Sequence, residues 1–78
     1  MLSPSQVIDE YYLEVRCKLL EIGAILDRYD RAVQRTGDHT HDGDERIAKC
    51  LEALSVLAKD RSGTNRAEQI ALVFSDPV

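Results

Sequence analysis

The sequence predicts an all-α protein: a long N-terminal helix packed antiparallel on a second helix, plus a short third helix, in a homodimeric helical bundle. Two features predict this fold. Apolar residues recur at steps of three and four from residue 8 to residue 33. Apart from Gly23, glycine and proline fall only where helices would begin or end.

The size and charge of the chain restrict its function. With 78 residues it is expected to form one domain, 1–78, and at this size folding buries only about 60% of the unfolded chain's surface. The net charge of -4 argues against nucleic acid and anionic membranes as partners, because both attract basic surfaces. No apolar run approaches the roughly 18 residues of a membrane span, and the N-terminus lacks signal-peptide features. We therefore expect a cytoplasmic protein.

The first helix has clear start and end signals. Ser3 stands at the N-cap, Pro4 follows at the first helical position, and Gln6 completes the spacing of a capping box. Gly37 can take the left-handed conformation that closes a helix. We expect this helix to span residues 4–36, which is about 50 Å at 1.5 Å per residue.

The first helix carries two apolar stripes on nearly opposite faces. The first stripe, here called the heptad seam, consists of Ile8, Tyr12, Val15, Leu19, Ile22, Leu26, Tyr29 and Val33. The other, here called the second stripe, consists of Leu13, Cys17, Leu20 and Ala24. A helix that packs against a neighbour on one side needs only one apolar stripe. We therefore expect the middle of this helix to be covered from both sides, with the second stripe at an interface.

The remainder of the chain predicts two shorter helices after a turn at 37–42. The second helix is expected over residues 43–62, closed by Gly63, and the third over 66–75, capped by Asn65 with Glu68. The apolar face of the second helix would contain Ile47, Cys50, Leu51, Leu54, Leu57 and Ala58. That of the third would contain Ala67, Ile70, Ala71 and Phe74.

The second helix, at roughly 30 Å, is too short to cover the first. A second copy of the chain is the expected cover, because closed two-fold dimers are the commonest assembly. Another protein is the alternative partner. Neither nucleic acid nor a membrane is expected.

The stretch GDHTHDGDE, which follows the first helix, is the richest in metal-ligand side chains. His39 and His41 lie two residues apart with Asp38 and Asp42 alongside, and imidazole with carboxylate suits zinc, nickel or copper. Calcium is not expected, because Lys49 occupies the position at which a calcium loop has its bidentate glutamate.

A capping turn is the other interpretation of this stretch. Asp42 would cap the second helix, while Asp44 and Glu45 would favour its positive end. We favour the turn, because structural zinc sites want cysteine and paired helical histidines lie four residues apart.

Carboxylates on the first helix form a second group of candidate ligands, consisting of Glu10, Glu14, Glu21, Asp27 and Asp30. This group is similar to the helix carboxylates of all-α nucleotide pyrophosphatases, and the resemblance implies bound magnesium. We favour the other interpretation, a solvated face with ion pairs four residues apart, Glu14 with Lys18 and Asp27 with Arg31, because exposed helices normally carry such pairs.

The sequence offers little other support for catalysis or for a bound cofactor. Cys17 and Cys50 fall at apolar helical positions, so we expect small, buried, reduced side chains. There is no glycine-rich phosphate loop and no nucleophile motif, so we predict no enzyme activity and no cofactor. The predicted function is a small self-associating helical protein that acts as an interaction or regulatory module. The alternative is a metal-binding or metal-dependent protein that uses the loop histidines or the helix carboxylates.

Overall fold

The structure is a computed structural model that describes residues 1–59 and 65–75 of the chain. Within these residues it contains three α-helices and no strand: α1 (Pro4–Thr36), α2 (Glu45–Ala58) and α3 (Arg66–Phe74). The predicted all-α fold class is therefore confirmed.

The chain forms two compact units, Met1–Thr40 and His41–Val78. The first unit contains α1, and the second contains α2 and α3. Each unit is described by itself. The single domain and the antiparallel packing of the first helix on the second stay predictions.

α1 begins and ends where the sequence predicts, because both ends are closed by local hydrogen bonds. The Ser3 amide donates to Gln6 Oε1 at 2.8 Å, and the Gln6 amide donates to Ser3 Oγ at 3.2 Å. These two bonds are the predicted capping box. At the other end Gly37 has φ 69°, and its amide donates to the Val33 carbonyl at 2.8 Å. Only glycine adopts that left-handed conformation without steric cost.

α2 is shorter than predicted at both ends. It begins at Glu45 because Asp44 is its N-cap, two residues after the predicted start at 43. It ends at Ala58, since Lys59 is extended with φ -68° and ψ 156°. The Lys59 amide closes the last turn by donating to the Val56 carbonyl at 3.3 Å. Gly63, which was predicted to close this helix, lies outside the described residues.

The contact between α2 and α3 contains the most buried residues of the described chain. Ala53 is 8% exposed and Val56 is 6% exposed. The half-buried residues of α3 are Arg66, Gln69, Ile70 and Val73. They recur at steps of three and four and so share one face of the helix. A nine-residue helix therefore packs through a mixed face, in which the stems of polar residues cover part of α2.

The predicted faces of both short helices need correction. Of the residues predicted on α2, Ile47, Cys50 and Leu54 are half-buried, whereas Leu51, Leu57 and Ala58 are exposed. On α3, Ile70 is half-buried, but Ala67, Ala71 and Phe74 are exposed. The physical reason is that apolar side chains occur on every side of α3, so their pattern does not single out one face.

The predicted cap of α3 also differs. Asn65 is the N-cap residue, but its side chain makes no capping bond to the backbone. Instead, Asn65 Oδ1 accepts from Gln69 Nε2 at 2.7 Å, so the side chain is paired with an amide one turn further on.

Candidate functional site

The apolar surface of α1 is the largest candidate site in the first unit. None of the residues of α1 is buried. In the heptad seam Ile8, Tyr12, Val15, Leu19 and Ile22 are exposed, and Leu26, Tyr29 and Val33 are half-buried. In the second stripe Leu13, Cys17, Leu20 and Ala24 are all exposed. Leu20 is 64% exposed and Leu19 51%, so both stripes present large side chains to solvent.

Monomeric proteins rarely carry large contiguous apolar patches, so the two exposed stripes make α1 the candidate contact surface of the first unit.

The carboxylates of α1 are partly used in surface ion pairs. Lys18 Nζ lies 3.3 Å from Glu14 Oε1, which confirms that pair, and both side chains are more than half exposed. No ion pair joins Asp27 to Arg31 within the described residues. An exposed pair of this kind contributes about 0–1 kcal/mol, so the Glu14–Lys18 pair has little effect on the stability of α1.

The first part of the loop is ordered by Asp38. Its Oδ1 accepts from the Thr40 amide at 2.9 Å and from Thr40 Oγ1 at 2.6 Å, as in an Asx turn. The Asp38 amide donates to Thr36 Oγ1 at 3.1 Å, and that hydroxyl donates to the Ala32 carbonyl at 2.7 Å. Asp38 thus serves as the residue that closes this turn.

The second part of the loop is organised around Asp44. Its Oδ1 accepts from the Arg46 amide at 2.8 Å and from Arg46 Nε at 3.2 Å, and its Oδ2 accepts from Arg46 Nη2 at 2.9 Å. His41 Nδ1 lies 3.7 Å from the same Oδ2. The Asp44 side chain is only 15% exposed, the lowest value among the side chains of the described ion pairs.

These contacts change the acidity of Asp44. The hydrogen bonds from the Arg46 side chain and then from its backbone lower the pKa of Asp44 from 3.8 to about 2. The positive charges of Arg46 and of a protonated His41 act in the same direction. The carboxylate is therefore ionised at every physiological pH, and both of its oxygens accept hydrogen bonds from Arg46 at the start of α2.

The prediction that Asp42 caps the second helix is wrong, because Asp44 performs this role. Gly43 adopts φ 80°, and the Asp44 amide donates to the His41 carbonyl at 2.9 Å. Asp42 and Gly43 are the two central residues of this turn, so the helix begins only after them. The signal was present in the sequence, since Gly43 separates Asp42 from the helical stretch and Asp44 immediately precedes the acidic first turn.

Metal ligation by the loop or helix residues was the other candidate site. Within residues 1–59 and 65–75, no group of three or more His, Cys, Asp or Glu side chains is placed to hold a metal ion. Asp38 and Asp44 have the hydrogen-bonding roles described above. Cys17 is an exposed free thiol and Cys50 a half-buried one, so the predicted burial of Cys17 is wrong for the single chain.

An open groove between α2 and α3 is a concave feature of the second unit. Its volume is about 310 Å³, and its lining residues are Glu52, Val56, Lys59, Gln69, Leu72 and Val73. Pockets for small molecules begin at about 300 Å³ but bury most of their ligand, which an open groove of this size does not. The lining offers one carboxylate and one ammonium group beside aliphatic side chains.

Comparison of the chain with protein-family models, with curated proteins and with solved structures finds no match. None of the described helices combines the length and the apolar character that crossing a membrane requires. The arguments below therefore depend on the surface of the chain itself.

Proposed function

We propose that the protein is a small, non-enzymatic, self-associating helical module that acts through contacts between proteins. The observation that carries this proposal is the exposed apolar surface of α1, which extends along a helix of 33 residues without one buried side chain. Leaving such a surface in water is costly, because burying one large aliphatic side chain contributes roughly 1.5–3 kcal/mol.

The exposed stripes support a second copy of the chain as the principal partner, because both copies carry the same apolar surface on α1. A two-fold dimer is also the commonest way in which a chain covers one of its own faces. A different protein could occupy the same surface once the module has assembled.

Both stripes of α1 are available for this contact. The sequence places the second stripe, Leu13, Cys17, Leu20 and Ala24, at the interface, and all four residues are exposed in the single chain. We place the module in the cytoplasm, and the two free thiols support that location, since exposed thiols persist in reducing compartments.

The test of self-association is the mass of the untagged protein in solution. We expect sedimentation equilibrium at micromolar concentration to give twice the chain mass of 8.8 kDa, and a Tm that rises with protein concentration. A mass of one chain up to about 100 µM would contradict the proposal, because that limit corresponds to a weak Kd.

A variant with a charged residue on each stripe tests whether α1 forms the contact, and a variant charged outside the stripes is its control. The double substitution Leu19→Glu and Leu20→Glu buries a carboxylate whichever stripe forms the contact, so the variant should be monomeric. Gln34→Glu adds a carboxylate to an exposed position of α1 outside both stripes and should leave the mass unchanged. Circular dichroism of each variant verifies that α1 is still helical.

A further inference from the structure

We infer that two copies of α1 pair antiparallel along the heptad seam, with the two-fold axis beside Ala24 and with Arg16 opposite Asp30 of the second copy. The inference rests on the proposed self-association and adds to it the surface, the direction and the register. The second copy of this chain is the occupant, because the apolar seam can pair with itself and the charges that flank it are complementary in this arrangement.

The apolar positions of the seam fit an antiparallel pair. In heptad terms Leu19 and Leu26 are a positions, and Ile22 and Tyr29 are d positions. Antiparallel pairing places a positions of one helix beside d positions of the other. When the two residue numbers of each pair add up to 48, the layers are Val15 with Val33, Leu19 with Tyr29 and Ile22 with Leu26, each formed twice. All six layers are apolar.

The residues that flank these layers carry complementary charges. A two-fold axis perpendicular to the helices keeps each flank on its own side, so e positions face e positions. In this register Arg16 lies opposite Asp30 of the second copy, and the pair forms twice. At the axis Gly23 faces Gly23, where a Cβ would meet nothing within 4 Å in the single chain. The other flank places Lys18 beside Ala32 and Ile25 beside Ile25, so no like charges meet.

An outer row of charges has the same symmetry. Glu14, Glu21, Arg28 and Arg35 recur at every seventh residue and change sign in the middle of the row. In the antiparallel pair Glu14 comes level with Arg35 of the second copy, and Glu21 comes level with Arg28. A parallel pair would instead place the two copies of this row on opposite sides, so its acidic and basic residues could not meet.

Other registers along the seam lose these pairs. Sliding the helices by one heptad forms eight apolar layers instead of six, because Ile8 and Tyr12 are also paired. It also places Asp9 opposite Asp30 of the second copy and leaves Arg16 opposite Gly23. In a parallel, in-register pair the flanking partners are Tyr11 with Arg16, Lys18 with Gly23 and Ile25 with Asp30. No oppositely charged pair forms there, so charge selects one direction and one register.

The second stripe forms a poorer contact with its own copy. Continuing its steps of three and four beyond Ala24 leads to Asp27 and then to Arg31, so the apolar part covers only residues 13–24. An antiparallel pair centred on it contains four layers, against six over residues 15–33 for the seam. The seam is therefore the surface that two copies share, in place of the second stripe that the sequence alone favours.

Charge reversal tests the flanking pair in the full-length chain. Arg16→Asp or Asp30→Arg replaces two attractive contacts by two repulsive ones, and we expect the dimer Kd to rise about tenfold for either variant. The double variant restores opposite charges and should return to within about threefold of the wild-type Kd. Arg31→Asp is the matched control, since Arg31 lies on the line of the second stripe, and its Kd should stay within about twofold.

Distances between spin labels test direction and register independently. In a chain with Cys17→Ala and Cys50→Ala, we place one label through Glu10→Cys or Gln34→Cys, both exposed positions outside the seam. With 1.5 Å per residue, the axial separation between copies is about 42 Å at position 10 and about 30 Å at position 34. The pair shifted by one heptad gives about 32 Å and 41 Å instead, and a parallel pair gives less than about 20 Å at both positions.

The outcomes distinguish the two proposals. A wild-type protein that stays monomeric overturns both self-association and this inference. A dimer that gives the parallel or shifted distances, or whose double charge variant is no tighter than the single variants, overturns the inference alone. A dimer weakened by Arg31→Asp and indifferent to Arg16→Asp does the same and assigns the contact to the second stripe.

Discussion

Replacing Asp44 by alanine is the sharpest test of the loop. The substitution removes the acceptor of three hydrogen bonds from Arg46, at 2.8, 2.9 and 3.2 Å, including the bond from the backbone amide. α2 has only 14 residues, so losing its first turn loosens a large part of the helix. We expect the Tm to fall by about 4–8 °C, the size of effect typical of a lost N-cap in a small domain.

Two variants serve as controls in the same thermal unfolding series, followed by circular dichroism. Asp44→Asn keeps an acceptor at the cap and should recover most of the loss, because asparagine caps helices about as well as aspartate. Asp42→Ala removes the acid that the sequence alone selects and should have the smaller effect, since the cap bond comes from Asp44. If Asp42→Ala lowered the Tm as much as Asp44→Ala, the reasoning on the start of α2 would be refuted.

The charge of Asp44 gives the same experiment a pH dependence. The pKa of Asp44 is lowered in the folded chain to about 2 from the usual 3.8, so the ionised form stabilises the fold. This contribution is fully present above pH 5 and is lost as the pH falls from about 4 through 2. The difference in Tm between wild type and Asp44→Asn should shrink over that interval. Arg46 stays charged throughout, because its pKa is raised by the hydrogen bonds to Asp44. A difference that is constant from pH 7 to pH 2 would refute the role of the carboxylate charge.

Three further predictions use the same assay. Val56→Ala should lower the free energy of unfolding by about 1.5–2.5 kcal/mol, because the Val56 side chain is only 6% exposed. Leu57→Ala should lower it by less than about 1 kcal/mol, since Leu57 is 43% exposed. Equal effects of the two variants would contradict the contact between α2 and α3. Gly37→Ala, at φ 69°, should destabilise the chain by about 1 kcal/mol, whereas Gly23→Ala, inside α1, should stabilise it by about 0.5–1 kcal/mol. Alanine at both loop histidines should shift the stability by no more than about 0.5 kcal/mol, and a zinc-dependent, EDTA-reversible rise in the wild-type Tm alone would establish the metal alternative.

The ends of α1 could be predicted from the sequence because they depend on neighbours within four residues. The spacing of Ser3 and Gln6 defines a capping box wherever it occurs before a helical stretch, and Gly37 is the residue type that closes a helix. The start of α2 was placed two residues too early for a related reason. Asp42 and Asp44 are both good N-caps, and the backbone of Gly43 decides between them.

The packing of the short helices could not be predicted in the same way. α3 has apolar side chains on all sides, so the choice of the face that meets α2 is made by the fit to a neighbour. The two most buried residues, Ala53 and Val56, were missed because the larger leucines beside them dominate a hydrophobicity pattern. Small residues permit close approach of two helices, and that property is visible only when both helices are placed.

The candidate site, too, could be predicted from the sequence only in part. The two stripes of α1 follow from the heptad pattern, and the structure adds that all of its side chains are at least partly exposed. The preference for the second stripe came from geometry on a single helix. The charges that flank the seam, such as Arg16 and Asp30, only become informative when two exposed helices are laid against each other.

The local closure of α1 also has a kinetic consequence. Every hydrogen bond that ends this helix joins residues no more than four apart, between Ser3 and Val7 at one end and Val33 and Gly37 at the other. Helix elongation takes nanoseconds per residue, whereas synthesis adds about 5–20 residues per second. A nascent chain that has emerged as far as Gly37 therefore has every hydrogen-bond partner that closes this helix, before α2 has emerged. The exposed stripes of α1 can thus meet another chain before α2 and α3 have folded.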